Sequence, residues 1–219
     1  GAITVPTTEE LRQRAISFVS SQKRAVTKND YESLCYAMPS QFGGLKRVRA
    51  IQDKDSFKKN LNLYVISEDP DGRFIASNST VKNNLRTWIT RHKMITDTVD
   101  ILPTQIVNLA LNFTVISDVG RNKYDVLNKC IARLEDYFDV KFEIGEPLFY
   151  NDVFRELKDV EGVLDVTEVF ATSLSGGDYA TSAFSVIENL SVDGRALLLQ
   201  EQQVFEIKYF NRDLIGTVL

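Results

Sequence analysis

The segment QIVNLALNFTVIS at residues 105–117 alternates apolar and polar side chains along its length. Successive side chains of a strand point to opposite faces, so this alternation predicts a long strand with one buried face. The predicted buried face consists of Val107, Leu109, Leu111, Phe113 and Val115. After a break at residues 118–122, apolar residues recur at helical spacing up to Phe138, which predicts an amphipathic helix over residues 122–138.

Strand alternation and helical spacing also predict the other secondary-structure elements. Further strands are predicted at residues 46–53, 62–67, 98–102, 163–172, 197–199 and 204–210. Further helices are predicted at residues 8–22, from Thr27 to near Pro39, from Asn78 or Ser79 to about Lys93, and from Pro147 onward. The strand at residues 62–67 is apolar on both faces, which predicts a central position in its sheet.

This order of elements predicts an α+β fold. We expect consecutive strand-strand-helix modules, with antiparallel sheets and helices packed on one face, and a β-rich C-terminal extension. The predicted divisions are an N-terminal helical segment at residues 1–43, a first α/β subdomain at 44–93, a second at 94–173 and the extension at 174–219.

The composition narrows the function classes. The chain has 219 residues and a formal net charge of −4, which argues against a nucleic-acid partner because such proteins usually carry a basic surface. Cys35 and Cys130 are the only cysteines, so a disulfide-dense secreted fold is excluded and buried free thiols in a reducing cytoplasm are expected. No apolar run approaches the ~20 residues needed to cross a bilayer, and no signal peptide opens the chain, so no membrane partner is predicted.

The residue types that usually form catalytic, metal or phosphate sites show no recognisable pattern in this sequence. His92 is the only histidine and sits at a predicted helix end beside Arg91 and Lys93. The turn at residues 67–72 has Ser67 where a calcium loop needs aspartate, and the Gly176–Gly177 pair is followed by no Lys-Ser/Thr. The carboxylates at residues 152, 156 and 159 share one helix face with cations, which is typical of a solvated surface. We therefore predict no catalytic residue, no cofactor and no metal site.

Two short motifs near the start of the chain carry more information. Arg24-Ala25-Val26-Thr27 is followed by Asp30-Tyr31-Glu32, in which Thr27 can cap a helix, and Lys46-Arg47-Val48-Arg49-Ala50-Ile51 reads as a strand. Together with the order of elements over roughly residues 20–172, these motifs resemble the baseplate J-like family. Within that family they are most similar to the C-terminal part of the baseplate wedge proteins of T-even-like contractile-tailed phages.

The resemblance implies a late structural protein of the virion and no enzyme. Such a subunit forms a homodimer, contacts other baseplate wedge subunits and builds the inner baseplate ring, which rearranges when the tail sheath contracts. The implied location is the tail baseplate, after assembly in the host cytoplasm. The long N-terminal region of the full wedge protein has no counterpart in this sequence.

The C-terminal residues are the candidate interface. Apolar side chains recur there at Phe205, Ile207, Tyr209, Phe210, Leu214 and Ile215. They either pack on the chain's own sheet or add to the edge of a partner. A basic cluster of Lys23, Arg24, Lys28, Lys46, Arg47 and Arg49 indicates a protein contact or a solvated surface.

An alternative interpretation is a cytosolic hydrolase-like or small-ligand-binding α+β domain. Such a domain is stabilised thermally by its ligand, whereas a structural subunit associates with itself and ignores metals and nucleotides.

Overall fold

The computed structural model describes residues 24–53 and 60–219, together with Thr8 and Arg12. The chain divides into two units, Gly1–Thr104 and Gln105–Leu219. The helix predicted at residues 8–22 lies outside the described residues except at Thr8 and Arg12. The predicted division into four segments is finer than this partition and stays a prediction.

The first unit contains two helices and four strands in its described part. In chain order they are α1 (Lys28–Tyr36), a 3-10 turn (Ser40–Phe42), β1 (Arg47–Gln52), β2 (Leu61–Glu68), β3 (Phe74–Ile75), α2 (Ser79–Thr90) and β4 (Val99–Pro103). Strand β2 pairs antiparallel with β1 and β3 and parallel with β4. The predicted central position of residues 62–67 is therefore confirmed.

Both helices of the first unit begin at the predicted capping residues. The Asp30 N–H donates to Thr27 Oγ1 at 3.2 Å, and the Thr27 N–H donates to Asp30 Oδ2 at 2.8 Å, which completes a capping box. Asn78 caps α2 by accepting the Val81 N–H at 2.8 Å. Side chains close in sequence thus satisfy the first free N–H groups of each helix.

The core of the first unit lies between its helices and one face of its sheet. The sheet contributes Val48, Ala50, Leu63, Val65 and Ile101, and the helices contribute Tyr31, Leu34, Cys35, Leu85 and Ile89. The two helices are also joined by the indole N–H of Trp88, which donates to the Leu34 carbonyl at 2.8 Å. The prediction of helices on one face of a sheet is confirmed here.

The second unit is built around one long strand. Its elements are β5 (Gln105–Ser117), α3 (Lys123–Asp139), β6 (Leu148–Phe149), α4 (Tyr150–Lys158), β7 (Val163–Leu174), β8 (Ala196–Leu197), β9 (Gln203–Glu206), α5 (Phe210–Asp213) and β10 (Leu214–Val218). Strand β5 pairs antiparallel with β7 along one edge. Its other edge pairs in parallel with β9 and then with β10.

The buried face of β5 is the one that its alternation predicts. Val107, Leu109, Leu111, Phe113 and Val115 are all buried. They pack against Val126, Cys130, Leu134 and Phe138 of α3 and against Val153 and Leu157 of α4. The α+β class is thus confirmed, with sheets that are mixed because β4, β9 and β10 pair in parallel.

The second unit also corrects three sequence predictions. The helix expected from Pro147 starts at Tyr150, because Leu148 and Phe149 instead form β6 with the distant strand β8. The strand expected at residues 204–210 ends at Glu206, where the chain turns into α5 and the Tyr209 N–H donates to Asp213 Oδ2 at 2.9 Å. Strand β10 was not predicted at all. The strands β6 and β10 depend on partners remote in sequence, whereas the early end of β9 goes with a local turn.

Candidate interaction surface

The six candidate interface residues differ in how far they are buried. Phe205, Ile207 and Leu214 are buried in the core of the second unit. Tyr209 and Phe210 are half-buried, and Ile215 is 51% exposed. A partner chain therefore reaches the side chains of the last three without opening the unit.

Ile215 belongs to a row of side chains on the outer face of the sheet. The register places Ile215 beside Asn112 of β5, and Asn112 beside Phe170 of β7. Phe170 is 42% exposed. The neighbouring row is Thr217, Thr114 and Glu168, so this half of the outer face is mostly uncharged and accessible.

The other half of the outer face is covered by residues 178–182. The Ala180 N–H donates to Asn108 Oδ1 at 2.8 Å, and Asn108 Nδ2 donates to the buried Glu206 carboxylate at 2.8 Å. The Ser182 hydroxyl donates to the Ile106 carbonyl. These bonds satisfy polar groups at the start of β5 that the covering segment would otherwise leave buried and unpaired.

An aromatic cluster anchors this covering segment to α5. The Tyr179 hydroxyl donates to the buried Asp213 carboxylate at 2.6 Å, and burial together with this bond raises the pKa of Tyr179. The Arg212 guanidinium lies over the rings of Tyr179 and Tyr209, at 4.9 and 4.5 Å from their centroids. Tyr209, predicted as an interface residue, thus also has a structural role within its own unit.

Each unit has an edge strand in which one backbone N–H group donates to a tyrosine hydroxyl. In the first unit the Val48 N–H donates to the Tyr36 hydroxyl at 2.9 Å, and the Ala50 N–H donates to Glu32 Oε1 at 2.8 Å. In the second unit the Ala171 N–H donates to the Tyr150 hydroxyl at 3.3 Å. Closing an edge in this way disfavours the addition of a foreign strand there.

The residues considered for catalysis have structural surroundings. His92 Nδ1 lies 3.0 Å from the Trp88 carbonyl oxygen, and the centroids of the His92 and Trp88 rings lie 4.7 Å apart with the rings tilted by 46°. Glu156 pairs with Arg133 at 2.8 Å, and Asp152 pairs with Arg155 at 3.2 Å. Among the residues that the structure describes, no three His, Cys, Asp or Glu side chains are grouped to hold a metal ion.

A shallow cleft between α4 and β7 has a volume of about 360 Å³. Its lining consists of Phe154, Arg155, Lys158, Asp159, Asp165 and Val166. Lys158 and Asp165 face each other across it at 3.4 Å, so part of its charge is already neutralised.

Both cysteines are buried free thiols, as expected. Burial raises the pKa of Cys130 to about 11 and raises that of Cys35 further, with the Glu32 charge adding to the effect. Neither thiol has the depressed pKa that makes a cysteine a nucleophile at neutral pH.

The basic cluster predicted from the sequence is only partly a surface. Arg47 is buried, and Lys46 pairs with Glu68 at 3.2 Å. Arg24, Lys28 and Arg49 are exposed, while Lys23 lies outside the described residues.

The charge of the two units is a feature that the sequence predictions missed. Residues 1–104 carry 16 Lys and Arg against 11 Asp and Glu, a formal charge of +5, whereas residues 105–219 carry 10 against 19, a charge of −9. The whole-chain value of −4 conceals this opposition. Counting charges separately on either side of residue 104 would have found it.

In the described ranges, none of the helices has the length and apolar character needed to cross a bilayer. No family model matches the sequence, and no match was found among curated proteins.

The fold does match solved structures. One is a chain in the six-fold symmetrised cryo-EM structure of the anti-feeding prophage (AFP) baseplate, with a TM-score of 0.58 and 15% sequence identity. The match covers 93% of the present chain and 42% of that chain. At this identity the similarity concerns the fold.

Proposed function

We propose that this chain is a non-catalytic structural subunit of the baseplate of a contractile, phage-tail-like particle. The observation that carries the proposal is the fold match, which extends over 93% of the chain and both of its units. The motifs at residues 24–32 and 46–51 favour the same assignment independently, because they resemble the baseplate J-like family.

The finer proposal is an inner-ring wedge subunit that forms homodimers and contacts other wedge subunits. It is assembled in the host cytoplasm, resides in the virion tail and takes part in the rearrangement that accompanies sheath contraction. Since this chain spans 42% of the length of the matched AFP protein, contacts made by further domains belong to this proposal as well.

Within the proposed dimer, the accessible candidates are Tyr209, Phe210 and Ile215. Ile215 and Phe170 form the apolar part of the open half-face, which suits packing against a second sheet. Deleting the C-terminal residues would remove β9 and β10, which complete the sheet around β5. The point substitution Ile215→Asp therefore tests this surface better than a deletion. Replacing Ile215 leaves the buried Leu214 and Phe205 in place.

The function is tested by electron microscopy and thermal melting of the same purified chain. A baseplate subunit is expected to form dimers and closed annular assemblies as its concentration rises, with a melting temperature that does not respond to metals or nucleotides. A chain that stays monomeric at every concentration and is stabilised by one of those ligands contradicts the proposal and favours a ligand-binding domain or an enzyme.

A further inference from the structure

The first unit presents an exposed apolar patch, here called the head patch, made of Val26, Met94 and Ile95. Ala25 pairs with Lys93 in a parallel bridge, and its N–H donates to the His92 carbonyl at 3.1 Å. This pairing places Val26 beside Met94 and Ile95. Ile95 is 100% exposed, although it is as apolar as any core residue.

The rim of the head patch is positive. Arg24, Lys28 and Arg91 are exposed, and none of them forms an ion pair with any residue in the described ranges. The nearby carboxylates are already engaged, since Asp30 accepts the N–H groups of Val26 and Thr27 and Asp97 accepts the Tyr31 hydroxyl at 2.6 Å. Residues 72–96 contain five Lys and Arg and no carboxylate at all.

The second unit presents an exposed apolar patch, here called the tail patch, made of Phe149, Val192 and Leu198. Phe149 pairs with Ala196, and Leu198 follows Ala196 by two residues and so lies on the same face. The pairing of Leu190 with Leu197 closes the hairpin, so the patch is carried by this hairpin and the short strand β6 beside it. Val192, near the tip, is fully exposed at 110% of the reference area.

The hairpin that carries the tail patch is held in one conformation by its own hydrogen bonds. The Gly194 N–H donates to the Ser191 carbonyl at 2.8 Å, and the Ala196 N–H donates to Ser191 Oγ at 3.0 Å. The Ser191 hydroxyl donates to Asp193 Oδ1 at 2.5 Å. A tip that is already ordered loses little entropy when a partner covers it.

The rim of the tail patch is negative. Glu188, Asp193 and Glu201 are exposed and form no ion pair in the described part of the chain. Residues 159–207 contain nine Asp and Glu and a single cation, Arg195. The tail patch is therefore an apolar centre with an acidic surround, and the head patch is its electrostatic complement.

We infer that the tail patch of one copy binds the head patch of the next copy, which makes a head-to-tail contact between copies of this chain. The inference rests on the proposed self-association and adds to it a contact that is distinct from the outer face around Ile215. Opposite rims attract, while two head patches or two tail patches repel, so the contact is selective for this pairing. Repeated head-to-tail contacts close into a ring when the rotation between copies permits it.

The inference is tested in the full chain carrying Ile215→Asp, here called the parent, in which the outer face proposed for the dimer is blocked. Ile95→Asp places a carboxylate in the head patch of the parent, and Val192→Lys places a cation in its tail patch. Each variant alone is expected to bind itself at least about tenfold more weakly than the parent, because a like charge is brought into the contact. An equimolar mixture is expected to recover the affinity of the parent, since one variant keeps its tail patch and the other keeps its head patch.

Binding is measured by titration of a fluorescently labelled copy with unlabelled chain. Val119→Asp and Val140→Lys are matched controls, because these valines are 97% and 78% exposed and lie outside both patches. The controls are expected to bind like the parent. Melting temperatures within about 2 °C of the parent confirm that the blocking variants are folded, as expected for exposed positions.

The outcomes separate this inference from the proposed function. Parental affinity in both blocking variants overturns the head-to-tail contact, and so does a parent that does not associate while the wild type does. Either result leaves self-association through another surface intact. Weak binding by each variant with no recovery in the mixture also overturns it, because only a heterologous contact is complemented in this way. A wild-type chain that does not associate overturns the proposed self-association together with the inference.

Discussion

The first unit closes its sheet with neighbouring segments of chain, whereas the second completes its sheet with strands from the far end of the chain. Strand β2 pairs with β1, β3 and β4, all within residues 47–103. Strand β5 instead receives β9 and β10 as parallel partners. The first unit therefore depends on local signals such as helix caps, and the second depends on how well remote residues fit its core.

The two units nevertheless protect their edge strands by the same device. Tyr36 and Tyr150 each accept an edge N–H group, with Glu32 closing a second group in the first unit. Since strand addition at these edges is disfavoured, we expect the proposed self-association to use side-chain surfaces instead. In the inferred head-to-tail contact, the opposite charges of the two patch rims select which surfaces attract.

The largest expected difference in stability between the two units follows from removing a core side chain that a distant part of the sequence supplies to the second unit. Phe205→Ala is expected to cost about 3–5 kcal/mol of unfolding free energy in the second unit, because the Phe205 ring is buried against Val107 and Phe142. Protection in the first unit should stay unchanged in native-state hydrogen exchange. Tyr124→Ala, at a ring that is 79% exposed, is the control and should change stability by less than about 0.5 kcal/mol. An equal loss of protection in both units would show that they do not unfold separately.

Overfilling the contact between β10 and α3 should have the next largest effect. A Cβ atom at Gly216 would overlap Leu127 Cδ1 and the Phe113 ring, so Gly216→Ala is expected to cost about 1–3 kcal/mol in urea unfolding. Thr217→Ala, one residue on and facing solvent, provides the comparison. A Gly216→Ala variant as stable as the wild type would mean that β10 yields easily and contributes little to the core.

Removing the tyrosine hydroxyl at each edge strand should lower the unfolding free energy by a similar amount in each unit. Tyr36→Phe and Tyr150→Phe leave the N–H groups of Val48 and Ala171 without their hydroxyl acceptors, at about 1–2 kcal/mol each. Hydrogen exchange should report each loss only in the unit that carries the substitution. Tyr124→Phe, at an exposed ring, should have no effect. If Tyr150→Phe leaves the exchange of the Ala171 amide unchanged, its hydroxyl does not close that edge.

The smallest expected effect concerns the helix cap in the first unit. Burial tends to raise the pKa of Asp30, but hydrogen bonds from the N–H groups of Thr27 and Val26 outweigh it and lower the pKa below its ordinary value of 3.8. The stabilisation is therefore complete above pH 3.8 and is lost as the pH falls through the lower folded-state pKa. Asp30→Ala should cost a few tenths to about 1 kcal/mol near neutral pH. Its difference from the wild type should shrink in acid, and a difference that is constant down to pH 2 would contradict this role.

The sequence predicts the elements that depend on local signals and misses those that depend on partners remote in sequence. Thr27 and Asn78 cap helices as predicted, because a cap and its N–H partner lie within a few residues of each other. The alternation in β5 predicts its buried face for a similar reason. Strands β6 and β10 were missed because their partners, Ala196–Leu197 and residues 111–115, are distant in sequence.

The candidate surface was predicted less well than the fold. Apolar character alone singled out Phe205, Ile207 and Leu214, yet the sheet of the second unit buries all three. The sequence analysis did not select Ile95 and Val192, which are apolar residues in turns. They become candidate contact residues only when their exposure is known. The opposing charges of the units were present in the sequence, but they became meaningful once the boundary after Thr104 was located.

Sedimentation velocity of the wild-type chain over a concentration series, at low and at high salt, tests the proposed self-association most directly. At low salt the sedimentation coefficient should rise with concentration beyond that of a monomer. The rise should diminish at about 1 M salt, where the Debye length falls to about 3 Å and the oppositely charged rims are screened. A single monomeric species at every concentration in low salt would contradict the account.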